Sequence, residues 1–324
     1  MAQGMTDTSA QGISAEAVAV VLRDELAHGD ALIGTIAPIL RHLLANDEHS
    51  VFGDDIIARV RGMMGHVAGQ LLDAQARAGG EEDLVEHDPA RLHALVDALV
   101  AHPGFLAHAH ALALEWQLTE RLEARLALDP VLSPLLQALV ASSDPAVAAS
   151  AMALLASQAR FAQAQRRMQL PLGELPGDLL HAAVLALRGL ASADEAEHAA
   201  VAERTIRQNY DESRTRLGLI SRLVTGMGGG ATAALSVTHA GVGMFLSALA
   251  LASGQDRDMA VLATNEGQLA RLALALRAAG LKPQSIEEQF VSLHPEVSLP
   301  PGFDQLGSDH AAALLSRSAI YPGS

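Results

Sequence analysis

Two short patterns in the chain have the spacing of metal ligands. Asp178-Leu-Leu-His181 and Glu195-Ala-Glu-His198 each place an acid three residues before an imidazole, which puts both groups on one face of a helix. Carboxylate–imidazole pairs on facing helices supply ligands in bundle di-metal sites, which also draw carboxylates from two further helices and normally use Glu as the acid. A simpler explanation competes. Asp178 falls in a first helical turn, where the dipole favours an anion, and Glu195 completes a capping box with Ser192. A metal-dependent enzyme using Asp178, His181, Glu195 and His198 is therefore the alternative reading. No two of the 14 histidines lie three or four residues apart. His108 and His110 are separated by about 200° around a helix and cannot share an ion.

Other catalytic classes lack their residues. There is no Cys, and Lys282, between Leu281 and Pro283, cannot belong to a phosphate-binding Gly-Lys-Ser/Thr loop. Gly226–Gly230 has no preceding strand, and neither a Gly-x-Ser-x-Gly elbow nor a His-Glu-x-x-His motif occurs. No cofactor is implied. A formal net charge of −15 disfavours nucleic acid as a partner. The cysteine-free composition, and a start at Met1–Gly12 with neither a basic nor an apolar region, point to the cytoplasm.

Arginine supplies the remaining candidates. Arg160, Arg166 and Arg167 alternate with Gln158, Gln163 and Gln165, while Arg204, Arg207, Tyr210 and Arg214 recur in steps of three and four along one helical stripe. Guanidinium groups fork carboxylates, so both faces are candidate docking sites for an acidic protein partner. Pairing within the chain, to Glu203, Asp211 and Glu212, is the competing expectation.

The elements that must position these residues are helical. Half the chain is apolar, but aromatic residues make up only 3%, so its cores must be aliphatic. Ile13 and Val18 form a staple around Ser14, His28-Gly29 ends that helix, and Asp30 opens another to residue 45 with a kink at Pro38. A helix over 54–78 stops at Gly79-Gly80, before the acidic loop Glu81-Glu82-Asp83. Asp88-Pro89, Asp129-Pro130 and Asp144-Pro145 are helix starts, giving helices near 89–101, 104–128, 130–141 and 145–169. The interval from Asp88 to Asp129 is in the range of two-helix repeats, about 40–47 residues. Further helices follow over 176–190, from Ser192 to Gly226 as one long rod, and over 231–253, 256–264, 266–279, 284–293 and 308–319. The uncharged run 223–253 is long enough to cross a bilayer, but glycines and His239 dilute it. A buried central helix is the stronger reading.

The segment SSDPAVAASAMALLASQAR resembles a HEAT-type unit, and ALALASGQDRDMAVLATNEGQLARLALALRAAGL is similar to an uncharacterised bacterial family with an all-α helical-repeat domain of unknown function. The resemblance implies an α-solenoid-like fold and a cytoplasmic location, and carries over no catalytic residue. The expectation is an all-α protein of stacked antiparallel helix pairs. Residues 1–12 would be disordered, 13–190 a helical-repeat region and 191–324 a C-terminal helical bundle. Its expected role is a non-catalytic scaffold or adaptor that binds another protein.

Overall fold

The computed structural model describes residues 14–45, 54–80 and 87–318. The expectations for residues 1–12, the Ile13 staple and the loop at 81–83 lie outside these ranges. Among the described residues every regular element is an α- or 3-10 helix, and no strand occurs. The all-α reading holds.

Helix α1 (Ala15–Ala45) begins where Ser14 Oγ accepts the Ala17 amide at 3.3 Å. It does not break at Gly29 as expected. Gln268 Nε2 donates to the Gly29 carbonyl at 2.6 Å, and Asp30 accepts from Arg271 and Ser318 instead of capping a new helix. Tertiary contacts thus hold α1 straight through a local stop signal. Helix α2 (Asp54–Ala78) ends at Gly80, whose φ of 91° suits glycine.

Asp88 and Asp144 cap α3 (Pro89–Ala101) and α6 (Pro145–Arg166) as their Asp-Pro pairs predict. Between them lie α4 (Pro103–Leu126) and α5 (Pro134–Val140). Asp129 departs from the expectation. Its carboxylate accepts the Val131 and Leu132 amides, but in a turn, and the helix starts at Pro134 under Ser133. The helix therefore starts later than the Asp-Pro pair placed it.

Helix α7 (Gly177–Leu190) precedes the expected long rod, which is two helices, α8 (Ala196–Asn209) and α9 (Arg216–Gly226). Tyr210 leaves the helix in an extended conformation, the Asp211 side chain accepts the Ser213 amide, and Thr215 caps α9. The apolar run 231–253 is also divided. A 3-10 segment over 228–235 leads into α10 (Val237–Ala240), and Gly241, with φ 73°, turns the chain into α11 (Val242–Ser253). Among the described residues no helix is long and apolar enough to cross a membrane. The sequence closes with α12 (Arg257–Leu262), α13 (Leu269–Ala278), α14 (Pro283–Leu293) and α15 (Ser308–Ser316).

Two aliphatic cores result. One gathers α2, α3, α7 and the first half of α4; the other gathers α5, α6 and α9–α15. Helices α1 and α4 belong to both: Leu26 and Leu118 lie in the larger core, Leu40 and Leu106 in the smaller. Distant elements also pack together, α1 on α13 and α4 on α12, alongside sequence neighbours such as α5 and α6.

The turn into α9 is the tightest of these joints. A Cβ on Gly218 would collide with the Glu212 carbonyl oxygen, a backbone atom that cannot swing aside. Gly218→Ala should therefore lower stability by about 1–3 kcal/mol, read from the urea midpoint. An unchanged midpoint would show that this turn relaxes freely.

Candidate functional site

Helix α4 carries His108, Leu112, Glu115 and Thr119 at spacings of four, three and four, which align on one face. Leu154, Gln158, Phe161 and Gln165 repeat that spacing on α6. These residues line a polar seam where the two cores meet. At its centre Glu115 is 1% exposed. Arg216, the first residue of α9, donates to both of its carboxylate oxygens at 2.8 and 2.9 Å, and Arg257 Nη2 lies 2.8 Å from Oε2. Gln158 Oε1 accepts from Arg216 Nη1 at 3.1 Å, and the Arg216 guanidinium carbon sits 3.6 Å from the centre of the Phe161 ring. Glu174 holds the start of α9, accepting the Arg216 amide at 2.7 Å. An anion at a helix N-terminus is favourably placed.

A glycine makes this approach feasible. A Cβ on Gly243 of α11 would lie 3.0 Å from Arg216 Nη1 and 3.3 Å from Glu115 Oε1. Burial alone would raise the pKa of Glu115, but the charges of Arg216 and Arg257, with the Arg216 hydrogen bonds, outweigh it and hold the carboxyl at about 2. A carboxylate so fully engaged is a poor general base. It holds cations in position.

Phe161 separates two cavities in the seam. The inner one, beside Glu115 and Gly243, has about 20 Å³, little more than a single water. The outer one has about 200 Å³ and is lined by His108, Arg160, Gln165, Glu174 and Arg216 among others. His108 Nε2 and Gln165 Oε1 are buried without a hydrogen-bond partner.

The Arg groups expected from the sequence have different surroundings. Arg160, Arg166 and Arg167 are all exposed, with Arg166 over the Trp116 ring at 5.5 Å. Helix α6 ends at Arg166, so Arg167 is its cap residue. The second stripe does not lie on one helix. Arg204 and Arg207 are on α8, Tyr210 is outside it, and Arg214 is in a 3-10 turn. Arg207 donates to Glu203 at 3.0 Å and to His181 Nδ1 at 2.6 Å, and the Tyr210 hydroxyl donates to the Leu175 carbonyl at 2.7 Å. Internal pairing thus accounts for Arg207 and Tyr210.

Three of the four alternative metal ligands are engaged elsewhere. Glu195 accepts from Arg91 and from Ser192 in the expected capping box, His181 faces Arg207, and His198 abuts Gly79. Among the described residues no three His, Asp or Glu side chains are grouped to hold an ion. Sequence reasoning missed Glu115, Glu174 and Arg257, although a lone Glu amid the apolar residues of HALALEWQL was a visible anomaly.

No family model matches the chain, and neither a curated protein nor a solved structure matches it.

Two expectations follow from the seam. Glu115→Gln leaves two buried guanidinium groups without their anion and should cost about 3–5 kcal/mol in urea unfolding; a loss below about 1 kcal/mol would mean that water already neutralises the cluster. His110, on the same helix, supplies a pH dependence. Burial lowers its pKa from 6.5 to about 4, despite the opposing charge of Asp258. The folded state therefore keeps it neutral while the unfolded chain takes up a proton, so stability is lost as pH falls from 6.5 towards 4. His110→Gln should flatten the dependence of the urea midpoint across that interval, whereas an identical slope in the variant would remove His110 as its source.

Proposed function

We propose that the protein is a non-catalytic binding module, a scaffold or adaptor, whose α6 edge receives an acidic segment of another protein. The observation that carries this reading is the state of Arg160 and Arg167. They lie seven residues apart, Arg160 on α6 and Arg167 at its C-terminal cap, are exposed, and have no carboxylate partner among the described residues. Other guanidinium groups are committed inside the chain, among them Arg91 to Glu195, Arg188 to Glu203 and Arg216 to Glu115, and the net charge of −15 makes an exposed pair of free cations a local contrast. The stacked-pair, solenoid-like reading of residues 89–170 belongs to this proposal. On it, the α3–α4 and α5–α6 units present α6 as the edge of an extended surface, the use to which helical repeats are suited.

The test uses a labelled Glu-rich peptide in fluorescence anisotropy at low ionic strength, with a Lys-rich peptide as control. The Glu-rich peptide should bind, weaken with added salt, and lose roughly tenfold or more in affinity in Arg167→Glu. Equal binding of the Lys-rich peptide, or unchanged affinity in Arg167→Glu, would overturn the proposal. Loss of binding in Arg204→Glu alone would move the docking surface to α8.

A further inference from the structure

The outer cavity of the seam has the character of a small-ligand site. We propose that it binds the carboxylate group of a small acid whose short aliphatic stem lies against Leu112, Leu170 and Leu217. This goes beyond the surface reading, since a free acid can occupy the cavity with no protein partner present.

Several unsatisfied polar groups belong to residues of one wall system. Arg216 spends both terminal nitrogens on Glu115 and Gln158, and its Nε–H donates to none of the described residues. Arg160 lies at the same cavity with its guanidinium unpaired. His108 is 4% exposed and Gln165 1% exposed, and each carries a polar atom with no hydrogen-bond partner. Buried polar groups in a folded protein are normally satisfied, and two orphans flanking one cavity are the mark of a missing ligand or ordered water.

The chemistry of these groups favours an anion. His108 Nδ1 is 3.7 Å from Asp258 Oδ2, beyond hydrogen-bond length, and the ring offers Nε2 as a donor when its proton resides there. Gln165 Nε2 is held only by a 3.6 Å contact to Met63 Sδ, and the amide can turn its NH₂ inward. Arg160, Arg216, His108 and Gln165 can thus all donate, and a carboxylate accepts several such bonds at once. Glu115 balances the charge of Arg216 from the far side of Phe161, while Glu174 is occupied by the Arg216 amide and by Ser157 Oγ at 3.3 Å. Size sets the rest. About 200 Å³ bounds the ligand to a small acid such as pentanoate.

The probe is pentanoate on the full chain, with pentanamide and pentylamine as isosteric controls, followed by saturation-transfer NMR and by the ¹⁵N shifts of the His108 ring. Pentanoate should bind at millimolar concentration, move the His108 Nε2 resonance, and bind at least roughly tenfold tighter than either control. Arg160→Ala, an exposed change, should weaken it by a similar factor; Gln165→Leu should do so too while restoring a satisfied apolar wall. Arg167→Glu should leave pentanoate binding intact, so the cavity and the surface can fail separately. No saturation transfer from pentanoate, binding as strong for pentanamide, or affinity untouched by Arg160→Ala would each overturn the assignment. A water filling the cavity alone would appear as the first of these.

Discussion

Glu115 is a charge removed from water, and the larger core depends on how it is neutralised. Isolating a carboxylate in an apolar interior costs several kcal/mol, and pairing it roughly restores the balance without adding much stability. The value of the cluster therefore lies in selection among arrangements. Arg216 comes from α9, Arg257 from α12 and Gln158 from α6. If any of these helices slides by a turn along α4, the carboxylate loses a partner that no neighbouring side chain replaces. Aliphatic side chains alone impose no such requirement, because Leu and Ala stripes pack nearly as well in shifted registers. A single buried acid converts an alanine-rich bundle into a specific one.

The same device recurs at other joints between helices. Arg271, 2% exposed on α13, reaches Asp30 of α1 and Ser318 beyond α15. Arg59 of α2 donates to the Gln165 carbonyl at the end of α6 at 2.7 Å while pairing with Asp55. Each joint uses one guanidinium to bind more than one group, and so ties different elements together. A planar guanidinium with five donors can do this; a lysine ammonium, compact and strongly hydrated, fits such a joint less well. That only Lys282 is a lysine thus has a structural counterpart.

Local chemistry explains which parts of the fold were legible in the sequence. Asp88 and Asp144 act where they stand, through amides two or three residues ahead, and their helices start as read. Asp129 makes the same contacts, yet Ser133-Pro134 offers a second start four residues on, and only packing decides between them. Gly29 read as a stop because nothing local predicts Gln268, 239 residues away, at its carbonyl. The arginine rhythm from 204 to 222 concealed a break that Asp211 and Thr215 already signalled as capping residues. Glu115 could be noticed but not paired, since its hydrogen-bonding partner Arg216 lies 101 residues along the chain. Sequence pattern reports on helix starts and faces; it carries little on which faces meet.

The placement of charge then constrains what the α6 edge can attract. A chain with net charge −15 repels an acidic segment at long range, and salt limits any local attraction to about 8–10 Å. On the proposed reading, Arg160 and Arg167 would act only on a partner already close to contact, without steering its approach. Binding on such a surface depends on the spacing of two or three carboxylates against fixed guanidinium groups, so total negative charge gives a partner no advantage. Arg166, set over Trp116, and Arg160, beside the seam, are positioned by the same helix that supplies Gln158 to the buried cluster. The register that Glu115 enforces on α6 is thus also the register of its outward arginines, and the interior charge sets the geometry of the surface.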